Sequence, residues 1–250
     1  MTIFIIVGVL LISAIALFFL FRSGIVPGIS GSSEINPNSY MTTCIEDKLI
    51  ESVEILSSQG GYIKNPLNRT FKFDKDKKPS DISYLCYNEN YYAPCVNQEP
   101  VLIQHLKKEI YDYIKDDVEI CFNKLKLSLE NQRFTVNGVY RDFEVKLMPK
   151  KIVLEIDADI TATKTDETRK IDNLKTSTLT RFYDLALVVQ EIVSQEARFC
   201  NFESLGFMLI YPQFNIDKFR TGDSTTIYTV QHRDSKEKFR FAIRGCVIPP

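Results

Sequence analysis

The run IVLEIDADITAT places Glu155, Asp157 and Asp159 two residues apart, alternating with Ile156, Ala158 and Ile160. Side chains of an extended chain point to alternate faces, so the three carboxylates share one face and the apolar residues take the other. Three oxygen-donor side chains in a row are the chemistry of a Ca²⁺ site. Thr161 and Thr163 continue the same polar face, however, and that is the pattern of a half-solvated strand, which is the favoured reading. Glu155, Asp157 and Asp159 are the metal candidates that remain.

Nucleophilic catalysis needs an activated group beside a base. The chain has two histidines. His105 lies in a helical stretch beside Lys107 and Lys108, and His232 ends a strand-like run before Arg233-Asp234. Both read as surface or packing residues. There is no G-x-S-x-G, H-E-x-x-H, phosphate-cradling glycine loop or dinucleotide fingerprint. The expectation is a chain that is not an enzyme and takes no cofactor. An extracytoplasmic hydrolase whose carboxylates converge only in space is the enzymatic alternative. A formal charge of −1 and a pI near 6.2 offer no basic stripe for nucleic acid.

Six cysteines, Cys44, Cys86, Cys95, Cys121, Cys200 and Cys246, all lie beyond the N-terminal apolar tract. None is in a C-x-x-C motif, so zinc is poorly supported, and an even set reads as disulfides in an oxidising compartment. Cys86 and Cys95 flank the turn formers Asn88-Glu89-Asn90, so a bridge between them would be local. Cys44 and Cys121 fall on or near the apolar faces of two helical stretches and suit a bridge between helices. The full pairing stays open. Asn68-Arg69-Thr70 is a glycosylation sequon, and Asn68 the candidate acceptor. The run ISYLCYNENYYAPC carries Tyr84, Tyr87, Tyr91 and Tyr92. These are half-buried sheet residues in one reading and the contact surface of a binding tip in the other.

These side chains must be positioned by the elements around them. Ile3 to Phe21 is a charge-free run of nineteen residues. As a helix it would reach about 28 Å, close to the hydrocarbon thickness of a bilayer. No basic residue precedes it, and although Ala14-Ile15-Ala16 imitates a cleavage site, Leu17-Phe18-Phe19-Leu20 follows at once. It therefore reads as a retained helix, in lipid or in a filament core, and not as a removable leader. Residues 23–40 are rich in Gly, Ser, Pro and Asn and read as a flexible linker. The body, 41–250, opens with a helix whose capping box is Thr43 and Glu46 and whose stripe is Ile45, Leu49, Val53 and Leu56, stopped by Gly60-Gly61. The alternating charges of Asp74 to Lys78 read as a solvated loop.

Pro100 starts a second helix with Leu102, Leu106, Ile110, Tyr113, Ile114, Val118, Cys121 and Leu125 on its stripe. From Arg133 the period changes to two. A hairpin is expected around a type I′ turn at Asn137-Gly138, then a reversal at Pro149-Lys150-Lys151, a strand over IVLEIDADITAT (Ile152 to Thr163), and another from Asn173 to Arg181. A third helix is predicted over Phe182–Arg198. FMLIYPQFNI, STTIYTVQH and KFRFAIRGCVI are three closing strands. The fold class is α+β: a transmembrane-type N-terminal helix, a linker, and an antiparallel-sheet domain with about three helices, divisible into a helical lobe (41–132) and a sheet-rich lobe (133–250).

The opening TIFIIVGVLLI, the Cys44 helix followed by Gln59-Gly60-Gly61-Tyr62-Ile63, the ISYL strand and a second helix ending in a cysteine resemble a family of single-span surface proteins of small-genome archaea. That family has a type IV pilin-like hydrophobic N terminus. The similarity is strongest from Met1 to about Phe122. Where the family often has a short basic leader this chain begins at the hydrophobic segment, as a processed form, or one whose start codon was assigned late, would. Where bacterial-type pilins carry a glutamate it has Ile5. The resemblance implies a cell-surface location and brings no catalytic residue.

The expectation is thus a non-enzymatic surface protein, anchored in lipid or self-associated through residues 3–21, forming a homo-oligomer or surface complex. The N terminus is inside and residues 41–250 outside the cytoplasm. The alternative is a membrane-tethered module that binds a ligand or partner.

Overall fold

The computed structural model describes residues 35–73, 79–165 and 167–248. The apolar tract 3–21, most of the linker and Asp74 to Lys78 lie outside the described residues. Among those residues no helix is long and apolar enough to cross a membrane. Residues 36–250 form one compact unit of mixed α+β structure.

Helix α1 (Pro37–Ser58) starts within the stretch expected to be linker. Its N-cap is Asn36 and not Thr43: the Asn36 side chain accepts a hydrogen bond from Ser39 N at 3.1 Å, and Pro37 holds the first position. Asn is among the best N-caps and proline's fixed φ suits the first turn, so Asn-Pro outcompetes the later capping box. Met41, Ile45, Leu49, Ser52 and Leu56 form the buried stripe, with Val53 half-buried at its margin. The helix ends as expected: Gly60 and Gly61 take φ of +77° and +89°, and Gly61 N donates to Leu56 O at 2.7 Å. That is a Schellman closure, which glycine permits without a Cβ penalty.

The chain then makes two short excursions, β1 (Thr70–Phe71) paired with β2 (Ser80–Asp81), before β3 (Tyr84–Tyr87) and β4 (Val96–Asn97). Helix α2 (Leu102–Asn131) buries Leu102, Leu106, Ile110, Ile114, Val118, Cys121, Phe122, Leu125 and Leu129, a stripe at intervals of three and four.

Three long strands follow: β5 (Thr135–Met148), β6 (Lys151–Lys164) and β7 (Glu167–Leu179), an antiparallel meander. Asn137-Gly138 is not a turn; the pair sits inside β5, opposite Thr161 and Ile160. A Cβ on Gly138 would come within 3.4 Å of the Phe122 ring and 3.3 Å of the Lys126 chain. The glycine therefore serves close helix-on-strand approach, not a reversal. The reversal is at Pro149-Lys150, where proline presets φ and Lys150 takes φ +67°.

Helix α3 (Phe182–Phe199) matches expectation to within one residue. A short helix α4 (Ser204–Ile210) takes the place of the first part of the FMLIYPQFNI strand. Strands β8 (Phe214–Arg220), β9 (Thr226–His232) and β10 (Lys238–Arg244) close the chain. The second large sheet has order β4-β3-β10-β9-β8, with β3 parallel to β10 and the other pairs antiparallel.

Helix α1 packs on α2, β7 and β10; α2 lies over β5; α3 covers β3, β9 and β10 and also reaches β5 and β6. Both large sheets thus pack on one helical layer. The helical and sheet-rich lobes predicted from sequence do not separate, because β3 of the first half is completed by β10 of the second. Phe122, Phe182, Phe202, Tyr228, Phe239 and Phe241 are the largest side chains buried in the unit.

Candidate functional site

All six cysteines are paired: Cys44–Cys121, Cys86–Cys95 and Cys200–Cys246, with Cα separations of 5.9, 5.3 and 5.8 Å. The first joins α1 to α2, and the second closes the β3–β4 hairpin. The third ties Cys200, just past α3 in the left-handed conformation, to the segment after β10. In the chain-entropy picture, loops of 77, 46 and 9 residues correspond to about 4.5, 4 and 2.6 kcal/mol.

The acid row on β6 meets protein cations. Glu155 accepts from Lys175 Nζ at 2.8 Å and also pairs with Lys146. Arg141 donates from Nε to Asp157 at 2.8 Å and from Nη1 to Asp159 at 2.7 Å. The Lys146 and Lys175 hydrogen bonds hold the Glu155 carboxyl down at about 2. The Arg141 hydrogen bond likewise lowers Asp159. Among the described residues, no group of His, Cys, Asp and Glu is arranged to hold a metal ion. Alternation placed the carboxylates on one face; it carried no information on which cations the neighbouring strands would bring.

The tyrosine-rich stretch divides. Tyr84 is not a surface residue: it is 7 % exposed and its hydroxyl pairs with Thr225 Oγ1 at 2.9 Å. Tyr87 is half-buried, edge-on to Tyr84 with ring centroids 5.0 Å apart. Tyr91 and Tyr92 are 53 % and 70 % exposed, with Val96 and Ile248 also outside. The tip is held by more than its disulfide. Arg244 donates to Glu89 O at 2.9 Å, Tyr92 N to Val247 O at 2.9 Å and Cys246 N to Ala93 O at 2.7 Å. The Cys200–Cys246 bridge then fastens that segment to the end of α3. Asn68 is exposed in a turn with φ +48°, so the sequon is sterically open.

A cavity of about 680 Å³ opens between the start of α3, helix α4, the start of β8 and the end of β9. Arg181, Asp184 and Glu191 supply charge on one side, with Arg181 Nη1 3.4 Å from Asp184 Oδ2. Leu187, Val188, Phe207 and Phe214 supply apolar wall, and Tyr211, Gln213 and His232 complete it. His232 is 4 % exposed, and its ring meets Phe214 edge-on at 5.7 Å. Its Nδ1 accepts from Ser235 N at 3.4 Å within the β9–β10 turn. This histidine is a packing residue, as its sequence context suggested. Glu237 of the same turn accepts from Thr180 Oγ1 at 2.6 Å and Arg181 N at 2.8 Å. It caps α3 from outside, since Arg181 makes no side-chain cap. The second histidine, His105, packs against Tyr62 with the rings tilted and their centroids 4.5 Å apart, and bonds Gly61 O through Nε2 at 2.8 Å. Tyr62 in turn donates to Glu99 at 2.6 Å, which pins the loop after α1 to the start of α2.

The cavity was not foreseen from sequence. Its walls come from four elements spread over residues 181–232, each carrying ordinary apolar or charged positions, so no local spacing marks them. An amphiphilic small molecule suits such a lining. No known protein family, curated protein or solved structure matches the chain.

Proposed function

We propose that this chain is a non-enzymatic cell-surface structural protein of pilin-like design. Residues 3–21 hold it in a membrane or in an assembly of its own copies, and the α+β body is displayed outside the cytoplasm. The observation that carries the reading is the arrangement of the cysteines: all six pair, and all lie in residues 36–250, downstream of a charge-free tract long enough to span a bilayer. Disulfides that staple helix to helix, strand to strand within the β3–β4 hairpin, and the end of α3 to the segment after β10 suit a body exposed outside the cell. The reading is tested by electron microscopy of native cell-surface material with mass spectrometry of its components. Recovery of the chain in filaments or in the membrane fraction supports it; recovery solely from the soluble cytoplasmic fraction overturns it.

A second reading, a tethered binding module, draws on the exposed Tyr91, Tyr92, Val96 and Ile248 at a disulfide-braced tip. Rigid aromatic side chains on a fixed loop are suited to recognition. Changing Tyr91 and Tyr92 to Ser should then abolish partner capture while leaving thermal stability unchanged.

A further inference from the structure

Helix α4 buries none of its side chains. Leu205, Leu209 and Ile210 are 69 %, 84 % and 72 % exposed, and Phe199, at the end of α3, is 69 % exposed. Leu205 and Leu209 are one turn apart and share a face. From Ser204 to Phe214 the chain carries no charged residue. The helix is nevertheless anchored on its other side. The Phe207 ring packs 5.4 Å from Phe202 and 4.7 Å from Tyr211, and Ile216 N donates to Met208 Sδ at 3.2 Å. The Glu203 carboxylate accepts from Leu205 N at 3.1 Å and closes the first turn. The fold therefore holds a row of large aliphatic side chains in water, and such a patch marks a surface that something covers.

We infer that α4 is a membrane-contact element: its Leu205, Leu209 and Ile210 face seats in the headgroup–acyl boundary of the bilayer in which residues 3–21 are held. The inference rests on the membrane form of the proposed function and adds to it a second point of attachment. The occupant follows from the chain itself. Residues 22–35 are all that separates the apolar tract from Asn36, and that length of chain spans at most roughly 50 Å. A bilayer holding the tract thus stays within reach of the body. A neutral aliphatic face with Tyr211 at its end matches the depth profile of an interface, where aliphatics enter the acyl edge and tyrosines sit at the headgroups. Two attachments fix the body's orientation on the membrane, which one flexible tether does not.

The chain has no tryptophan, so one introduced tryptophan reports alone. Full-length Leu209→Trp and, as a reference on the other large sheet, Leu179→Trp (84 % exposed in the native chain) are reconstituted into phosphatidylcholine–phosphatidylglycerol vesicles with and without brominated acyl chains. The expected result is blue-shifted emission from Leu209→Trp, quenched about twofold or more by brominated lipid, with Leu179→Trp unaffected. Co-flotation with vesicles but equally weak quenching of both variants overturns the inference and leaves the anchor reading standing. Blue-shifted emission that depends on protein concentration and resists brominated lipid assigns the face to a second copy, and also overturns it. Failure to co-float overturns the anchor reading and this inference with it.

Discussion

Tyr228 is fully buried on β9, and its hydroxyl donates to the Glu196 carboxylate on α3, itself 9 % exposed. Burial first, and then the bond to Glu196, push the phenol far above its ordinary pKa, so it is a donor at every practical pH. The carboxylate's other neighbour, Lys218 Nζ, is 3.7 Å away, and lies 5.1 Å over the Tyr228 ring. Lys218 also donates to Phe202 O at 2.8 Å, so it is not free to move in. Tyr228→Phe keeps the ring and its packing against Phe241, 5.4 Å between centroids, and deletes only the donor. A buried carboxylate that loses a hydrogen bond is destabilised by about 1.5–3 kcal/mol. For a unit of this size that is a fall in Tm of roughly 3–12 °C. The assay is urea and thermal unfolding of Tyr228→Phe, Glu196→Leu and the double variant. The double variant is expected to be less destabilised than the sum of the singles by about 1 kcal/mol or more. Additive effects, or a Tyr228→Phe loss under about 0.5 kcal/mol, would refute the claim that this pair joins α3 to the second sheet.

Four further outcomes are expected. Replacing Cys44 and Cys121 by Ser should lower stability by about 4.5 kcal/mol, against about 2.6 for Cys86 and Cys95, read from urea midpoints without reductant. Gly60→Ala places a Cβ 2.9 Å from Ser83 O at φ +77°, and should destabilise by more than about 1 kcal/mol, whereas Ser58→Ala, at the exposed end of α1, should stay within about 0.5. Glu237→Ala strips the external cap of α3 and should lose about 1–2 kcal/mol, with the loss visible as faster amide exchange in its first turn. Because Glu155 is held at about 2 in the fold against about 4.3 unfolded, its contribution is complete above the unfolded value and is lost as pH falls toward 2. Its carboxyl resonance should titrate near 2 in the native chain and move upward in Lys146→Met.

Where local chemistry decides, the elements were readable. The 182–198 stripe gave α3, Gly60-Gly61 marked the end of α1, and turn formers between Cys86 and Cys95 marked the hairpin. Misreadings came where a distant partner changes the meaning of a residue. Asn137-Gly138 reads as a turn until Phe122 and Lys126 of α2 come to lie over Gly138. FMLIYPQFNI reads as a strand because it is a short, largely apolar run. In the fold its first half is a helix with that surface exposed, a choice no periodicity encodes. The parallel pairing of β3 with β10 joins residues far apart in sequence, and Arg141 reaches Asp157 and Asp159 only through the register of β5 on β6. The cavity beside α3 is of the same kind: its residues acquire meaning only by convergence.

The proposed function requires a disulfide-stapled body outside the cytoplasm. The most direct measurement is peptide mapping, without reduction and with thiols blocked at lysis, of the protein taken from native membranes. Three cross-linked peptide pairs are expected, Cys44 with Cys121, Cys86 with Cys95 and Cys200 with Cys246. Recovery of all six cysteines as blocked free thiols would contradict it.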